Sequence, residues 1–370
     1  MVSDLHIGSS ARADLLRRPE VRRALADRLR DGVDRLVILG DALELRDGPV
    51  HEAARDAEPV LRDLGEALGA DGEIVLAGGN HDHNLLTGWI EDRLEQNRPM
   101  GLEQRIEPGQ AGPVAARLAE AAAPARLTLA YPGLWLRDDV YAFHGHYLDL
   151  HSRTPTIERL AAGSMARALT PIPEQGAVPD DYEACLAPLY AWMHALAQRS
   201  RSSITKAGSR SSVNLWKLLA GEGRRERPVR SLVLRGGVRA AVGALNRTGI
   251  GPLSGELSGA ALRRGSLLGV ADVLERLGVD APHVLFGHTH RAGPWEEDDQ
   301  AEWHAGRSRL TNTGSWVYQR HFLSVRPGVG PYWPGTAVFV GESGPPVLER
   351  LLADRTHAQL RPPPAPAARG

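Results

Sequence analysis

The chain has a single cysteine, Cys185, among its 370 residues. One cysteine cannot form a disulfide within the chain, and metal sites built from several thiolates are excluded as well. Long apolar runs are also missing, because no uninterrupted stretch approaches the ~18 residues of a membrane-spanning helix. These absences predict a soluble protein with a cytoplasmic location.

Lysine is nearly absent, since only Lys206 and Lys217 occur among 44 basic residues. The remaining basic charge is arginine, and 45 acidic residues bring the formal net charge to -1. Apolar residues make up 42% of the chain, which is enough for a substantial core. At this length both one enlarged domain and two domains are open.

Polar residues follow strand-like apolar runs at five places. These are Asp4-Leu5-His6, Gly40-Asp41, Gly78-Gly79-Asn80-His81-Asp82, His144-Gly145-His146 and Gly287-His288-Thr289-His290. Helical periodicity over 13–30 and 49–68 alternates with apolar runs over 33–39, 74–77 and 282–286. This alternation predicts an α/β fold in which ligands gather at the carboxyl ends of strands.

A different pattern, of short apolar runs separated by turn residues, lies between these blocks. Short runs at 127–130, 135–137 and 140–143 predict consecutive antiparallel strands, with Pro132-Gly133 as a turn between the first two. Helices are predicted beyond them, at 156–169, 180–199, 212–221, 228–245 and 255–277. We expect Trp192 and Trp216 in this helical region to belong to its own core.

The polar groups after the strands can form one metal centre. They are two carboxylates, one amide and four imidazoles: Asp4, His6, Asp41, Asn80, His144, His288 and His290. Oxygen and nitrogen ligands without sulfur favour Mn, Fe or Zn over Ca or Mg, with Mn expected first. Seven ligands are too many for one ion, whereas two ions ~3.5–4 Å apart that share a carboxylate suit phosphoryl displacement.

The five blocks, in this order from residue 4 to residue 290, resemble the calcineurin-like metallophosphoesterases. The stretch Asn312-Thr313-Gly314-Ser315-Trp316 is similar to a structural turn of that family. The resemblance implies a four-layer sandwich of two mixed β-sheets flanked by helices. It also implies hydrolysis of a phosphate ester or pyrophosphate bond by a hydroxide held between two divalent ions.

The resemblance also implies a role for each residue. Asp4, His6 and His290 would bind one metal, Asn80, His144 and His288 the other, and Asp41 would bridge the two. His81 would protonate the leaving oxygen, and Asp82 would orient His81. His146 and Glu44 are expected beside the ligands, and for His83 substrate contact and a place on the rim are equal alternatives.

The resemblance divides the chain into three parts. Residues 1–146 and 282–352 would form the metallophosphoesterase domain, 147–281 a helical, basic cap insert, and 353–370 a disordered tail. Because only three residues precede Asp4, we also expect the true start of translation to lie upstream of Met1.

The cap contains a basic stretch, with fourteen basic and three acidic residues over 199–264. A solvated basic face is the ordinary outcome of such a stretch. It could also attract a phosphorylated small-molecule, lipid or protein substrate, or bring the protein to the inner face of a membrane. Nucleic acid ranks below these partners because aromatic residues, only 5% of the chain, are few.

Two further functions stay open. The Gly-Asp-Ala-Leu-Glu segment and the helical insert resemble UDP-diacylglucosamine pyrophosphatases, although those enzymes commonly have Arg at the position of His81 and lack so long a cap. A catalytically silent interaction scaffold is the alternative of another class. It predicts missing ligands, whereas all seven positions are filled here.

Overall fold

The computed structural model describes residues 1–151, 172–199 and 259–362. Within them the helices are α1 (Pro19–Arg30), α2 (Val50–Leu68), α3 (Thr87–Glu95), α4 (Pro108–Ala111), α5 (Pro113–Ala121), α6 (Pro179–Arg199), α7 (Gly259–Leu277) and α8 (His357–Leu360). The strands are β1 (Arg35–Leu39), β2 (Glu73–Ala77), β3 (Glu103–Ile106), β4 (Arg126–Arg137), β5 (Val140–Phe143), β6 (His283–Phe286), β7 (His304–Ala305), β8 (Ser308–Asn312), β9 (Thr336–Phe339) and β10 (Val347–Arg350). The predicted α/β class is confirmed.

The main sheet is mixed and curled, with the strand order β1-β2-β4-β5-β6-β8-β7 and β3 paired to β4. The pairs β1/β2, β2/β4, β5/β6 and β6/β8 are parallel, and β4/β5 is antiparallel. The long strand β4 joins the two halves, because Arg126–Ala130 pairs with β2 while 133–137 pairs with β5. This strand therefore connects two groups of parallel strands within one curled sheet.

The predicted turn at Pro132-Gly133 is wrong. Both residues lie inside β4, which runs without a break from Arg126 to Arg137. Glu103 of β3 pairs with both of them across a bulge, which accommodates a residue that has no amide hydrogen to donate. The neighbour of β4 on its other side, β2, is parallel to it rather than antiparallel.

Alternate residues of the strands point to different cores. Leu36 and Ile38 of β1 pack with the apolar faces of α1 and α2. Val37 and Leu39 point the other way, into a cluster that also contains Leu285 of β6 and the neighbouring strands β2, β4, β5 and β9. The inner face of β1 and β2 is therefore shared with the β5/β6 half of the sheet.

The helices and strands predicted before residue 80 are confirmed with small changes of boundary. The helix expected over 13–30 begins at Pro19, a residue whose fixed φ suits the first turn. The helix over 49–68 and the strands over 33–39, 74–77 and 282–286 form as α2, β1, β2 and β6. The run 140–143 forms β5, antiparallel to β4 as predicted.

Two helices of the predicted insert are confirmed as α6 and α7. They pack on β5 and β6 through a core that includes Tyr182, Leu186 and Val270. Trp192 of α6 is instead 62% exposed, so its prediction as a core residue is wrong. Trp216, the helices predicted at 156–169, 212–221 and 228–245, and most of the basic stretch lie outside the described residues. No described helix is long and apolar enough to cross a membrane.

Both ends of the described chain are folded. Met1 and Val2 lie between β9 and β1, since Val338 N donates to Met1 O and Val2 N donates to Val37 O. The tail expected to be disordered from residue 353 instead includes α8. Its Leu360 is fully buried, and Arg18 donates to the carbonyl oxygens of Gln359 and Leu360. Residues 363–370 lie outside the described part.

Candidate metal centre

The five sequence blocks meet at the carboxyl ends of the strands. Asp41 follows β1, Asn80 follows β2, His144 follows β5 and His288 follows β6. Five of the seven predicted ligands have the left-handed backbone conformation that residues other than glycine rarely adopt: Asp4, His6, Asp41, His288 and His290, with φ between 46° and 65°. Such turns cluster at functional sites because they aim side chains inward at a conformational cost.

Glycine makes the close approach of these loops possible. Gly40 has φ of 80°, and a Cβ there would overlap the imidazole of His144. A Cβ on Gly287 would lie 2.6 Å from both Oδ2 of Asp4 and Oγ of Ser3. The glycines that end these strands therefore allow ligands from separate parts of the chain to touch.

One half of the centre contains Asp4, His6 and His290. Nε2 of His6 lies 3.1 Å from Nε2 of His290, which lies 3.2 Å from Oδ1 of Asp4. Nδ1 of His6 lies 3.0 Å from Oε2 of Glu44, so this carboxylate fixes the ring and leaves Nε2 facing the cluster.

The other half contains Asn80, His144 and His288. Nδ1 of His144 donates to the carbonyl oxygen of Leu39 at 2.9 Å, which leaves Nε2 facing the cluster. His288 is held in the opposite sense, with Nε2 3.0 Å from Oδ1 of Asp149 and Nδ1 directed inward. Each imidazole thus presents one nitrogen while the other is tied to an oxygen.

Asp41 lies between the two halves. Its Oδ2 atom is 3.6 Å from Nε2 of His6 and 3.3 Å from Nε2 of His144. The ligand atoms of Asp4, His6 and His290 lie within 4.8 Å of one another, and so do those of Asp41, His144 and His288. The structure therefore brings all these side chains together, and Oδ2 of Asp41 faces one histidine from each half.

The side-chain amide of Asn80 lies between the two histidines of its half and Arg46. Its oxygen lies 3.1 Å from Nε2 of His144, 3.3 Å from Oδ2 of Asp41 and 3.2 Å from Nδ1 of His288. Its nitrogen lies 3.0 Å from Nη1 of Arg46, which is also a donor. Reversing the amide would give these atoms hydrogen-bond partners, and the inward oxygen is the orientation in which Asn80 could bind a metal ion.

Asp4 is the buried carboxylate of the first half. Its Oδ2 accepts from Ser3 Oγ at 2.5 Å and from the His288 amide at 3.1 Å. Its Oδ1 faces Nε2 of His290 at 3.2 Å. A buried carboxylate needs a partner, and a metal ion bound by both side chains would serve as one. The residues present therefore fit a divalent-metal site with oxygen and nitrogen ligands.

The charges inside the cluster are strongly coupled. Burial alone raises the pKa of Asp41, but the neighbouring His144 and His81 reverse this and hold it well below its usual range. Burial opposes protonation of His6 and His144, yet Glu44 and Asp41 raise their pKa values to about 9 and about 10. Protons on these two rings occupy the lone pairs that a metal ion would use.

His81, the predicted acid, lies beside the centre with 27% of its side chain exposed. Its Nδ1 is 2.8–2.9 Å from the two oxygens of Glu44, and its ring meets His6 edge to face at 4.5 Å. The Glu44 contact leaves Nε2 of His81 available for a proton. The ring also lies close enough to His6 and Asp41 to be a metal ligand itself.

Asp82 does not take the position predicted for it. Its oxygens accept hydrogen bonds from the backbone amides of Ala42, Leu43 and Gly79 at 2.6–3.3 Å, and Glu44 rather than Asp82 bonds to His81. Burial and the charge of Asp41 raise the pKa of Asp82 to about 6. Asp82 thus ties together the loops that carry Asp41 and Asn80, because strand ends leave amides without ladder partners.

His83 is buried and bonded to the insert, and it also lines a groove between α3 and α6. Its Nε2 lies 2.8 Å from Oε2 of Glu183 on α6. The other oxygen of Glu183 accepts from Tyr131 at 2.5 Å and Tyr147 at 2.7 Å. All four side chains are buried, so this polar cluster fastens the insert to the rest of the fold. A groove of about 830 Å³ between α3 and α6 opens beside it.

Several residues around the centre were not predicted from the sequence. Asp149 holds His288, Ser3 bonds to Asp4, and Arg46 lies against Asn80. Asn312 donates to Gly287 O at 2.8 Å and Thr289 Oγ1 at 2.9 Å, which gives the predicted structural turn a contact with the last ligand loop. The only sign in the sequence that these residues belong to the centre is that they lie close to the motifs. His146 is buried next to His144, and its Nε2 lies 3.3 Å from the hydroxyl of Tyr131.

Comparison of the chain with models of known protein families, with curated proteins and with solved structures gives no match. The class of the protein is therefore inferred from the composition and geometry of the centre.

Proposed function

We propose that the protein is a two-metal phosphoesterase of the calcineurin-like class. The observation that carries this proposal is the position of Asp41, whose Oδ2 atom faces one histidine from each half of the centre. A carboxylate shared between two nitrogen-rich half-sites is what two adjacent divalent ions require. The buried carboxylate of Asp4 beside His290, and the side chain of Asn80 beside His144 and His288, support the same assignment.

The fold supports the four-layer sandwich proposed with this class. The inner residues Val37 and Leu39 of β1 share a cluster with Val140 of β5 and Leu285 of β6. Helices α1 and α2 cover the opposite face of β1, and α7 packs beside β5 and β6. We propose that the curled sheet provides the two facing sheets of the sandwich, with helices outside.

The side chains divide the chemistry as follows. Bound here, two divalent ions would supply Lewis-acid activation of water and offset the charge on the phosphoryl group. Asp41 and the imidazoles would hold the two ions in place. The partly exposed His81 gives a proton to the leaving oxygen from Nε2. Glu44 keeps the His81 ring oriented through Nδ1. Attack by water then releases the alcohol and a phosphate or phosphomonoester.

The first test is metal content together with hydrolysis. The full chain is purified with manganese, bound metal is counted by mass spectrometry, and turnover of p-nitrophenyl phosphate is compared with that of bis(p-nitrophenyl) phosphate. We expect two metals per chain and hydrolysis of at least one ester. Asp41→Asn should lose metal and activity together, whereas Asp14→Asn, a change at an equally buried carboxylate outside the centre, should keep both.

His81→Ala separates an acid from a ligand. As an acid, His81 should be dispensable for metal, and its loss should slow turnover by ~10²–10⁴ while two ions remain bound. His283→Ala, at a similarly half-buried histidine of β6, is the control. Loss of one ion in His81→Ala would instead make His81 a ligand. Two bound metals without hydrolysis of any phosphoester would overturn the enzymatic assignment and favour the scaffold alternative.

A further inference from the structure

A short linking loop, residues 45–49, leads from the metal centre to helix α2. It follows Glu44 directly, and the amide of Arg46 donates to Oε1 of Glu44 at 3.0 Å. The amide of Leu45 donates to the carbonyl oxygen of His81 at 3.3 Å. The linking loop therefore touches both partners of the contact that orients His81, and its position sets how Glu44 faces that ring.

Helix α2 has no cap of its own at the end of the linking loop. The residue before its first turn is Pro49, whose side chain has no atom that accepts a hydrogen bond. The amide of Val50 instead donates to Oε1 of Gln198 on α6 at 3.1 Å. Nε2 of Gln198 donates to the carbonyl oxygen of Gly48 at 3.1 Å. Because first-turn amides lack partners within their own helix, a residue of the insert completes the start of α2.

Two more side chains of α6 hold the linking loop. His194 lies one helical turn before Gln198, and its Nδ1 donates to the carbonyl oxygen of Leu45 at 3.3 Å. The ring of Tyr190, a further turn back, has its centre 4.8 Å from the guanidinium carbon of Arg46. Residues four apart share one face of a helix, so a single face of α6 contacts the loop at both of its ends.

The opposite end of α6 is fastened to the segment after β2. Asp180 pairs with Arg93 at 2.7 Å and accepts from the amide of Met100 at 2.8 Å. Glu183 pairs with His83 at 2.8 Å. A helix of 21 residues is about 30 Å long, so α6 reaches from this segment to the linking loop. Because the first end of α6 is fixed, the contacts at its other end restrain the loop.

We propose that two residues of the insert, Gln198 and His194, position Glu44 by holding the linking loop. Glu44 in turn orients His6 and His81. The inference rests on the proposed phosphoesterase function and gives the insert a part in it that acts through the backbone beside Glu44. An imidazole that is already oriented binds a metal ion more tightly, and an oriented His81 is better placed to give its proton.

The test measures the manganese affinity of the full chain by competition with a chelator, together with kcat and KM for the ester. We expect Gln198→Ala to lower metal affinity and kcat by ~3–10-fold each, the effect of lost hydrogen bonds, with KM unchanged. Hydrogen–deuterium exchange of the Val50 amide should become faster. Gln359→Ala is the matched control, because this exposed glutamine accepts from the Thr356 amide at the start of α8 at 2.8 Å. It should keep wild-type affinity and kcat.

A double variant separates positioning from general destabilisation. If Gln198 acts through Glu44, Gln198→Ala combined with Glu44→Gln should bind metal no more weakly than Glu44→Gln alone. Losses that multiply in the double variant would overturn the proposal, and so would wild-type affinity and kcat in Gln198→Ala. If Gln198→Ala does not fold, His194→Ala decides by the same measurements.

Metal affinity is measured without turnover, so the two proposals fail separately. A chain that binds two metals and hydrolyses nothing, but loses affinity in Gln198→Ala, would sink the proposed function and leave the positioning role standing. Hydrolysis by the wild type together with unchanged affinity and kcat in Gln198→Ala would do the reverse.

Discussion

At the residue scale, Glu44 connects the two kinds of histidine in the centre. One of its oxygens bonds to Nδ1 of His6, and both lie near Nδ1 of His81. These contacts, and the charges of both histidines, outweigh burial and hold the pKa of Glu44 below its usual range. Glu44 therefore stays an ionised acceptor that orients a proposed metal ligand and the proposed acid together.

Glu44→Gln should weaken metal binding by ~10–100-fold, the usual cost of losing a carboxylate behind a histidine ligand. The amide keeps one acceptor oxygen and directs a donor at a histidine nitrogen that already carries a proton. Metal affinity is measured by competition with a chelator of known strength. Glu73→Gln is the control, because Glu73 bonds to Arg35 and Thr128 away from the centre. Equal affinities in the two variants would contradict the prediction.

The residues of the candidate centre could be predicted from the sequence because strand ends bring polar side chains to one edge of a sheet. Their partners could not. Asp149 lies 139 residues before His288, and nothing in either motif specifies that contact. The prediction for Asp82 was wrong for the opposite reason. Asp82 follows His81 directly in the chain but does not bond to it. At a strand end its carboxylate is used instead by unpaired backbone amides.

At the element scale, α6 is attached to the domain by a polar contact rather than by apolar packing alone. Glu183 accepts bonds from Tyr131 and Tyr147 and pairs with His83, 100 residues earlier in the chain. The charge of His83 and the bonds to His83 and the two tyrosines outweigh burial and lower the pKa of Glu183, so this carboxylate stays ionised inside the protein. Periodicity predicted the helix, but it could not show which domain residues the helix would meet.

Glu183→Gln should loosen α6. The substitution removes the negative charge opposite His83 and leaves buried donors with one acceptor fewer, at a cost of about 1–3 kcal/mol in unfolding free energy. Hydrogen–deuterium exchange should become faster in α6, and denaturant melting should report the loss of stability. The exposed Glu275 of α7 gives the matched control, Glu275→Gln. If α6 amides exchange at the wild-type rate in Glu183→Gln, the polar cluster does not hold the helix.

At the scale of the whole molecule, the centre joins distant parts of the chain. His6 contacts His290 across 284 positions, and His144 contacts the loops after β1 and β2. The alternation of elements predicted the α/β class. The curl of the sheet could not be predicted, because β4 was interpreted as two strands although one strand pairs with β2 and then with β5.

Metal removal should therefore lower the stability of the entire fold. Free metal at 100 times its dissociation constant stabilises a folded protein by about 2.7 kcal/mol, so a chelator should lower the Tm by a few degrees. Differential scanning calorimetry with and without chelator measures this change. Asp41→Asn, which should bind metal poorly, is expected to melt at the same temperature under both conditions. A wild-type Tm that is the same with and without the chelator would contradict the prediction.

The separation of the ligand blocks along the chain also has a consequence for protein synthesis. His290 is added to the nascent chain 146 residues after His144. At ~5–20 residues per second this interval lasts about 7–30 s. During that time the nascent chain carries Asp41, Asn80 and His144 but lacks His290, and it lacks His288 until just before the end. Metal capture during translation would thus be delayed until the loop after β6 emerges. The ion would then be selected after most of the chain has been synthesised.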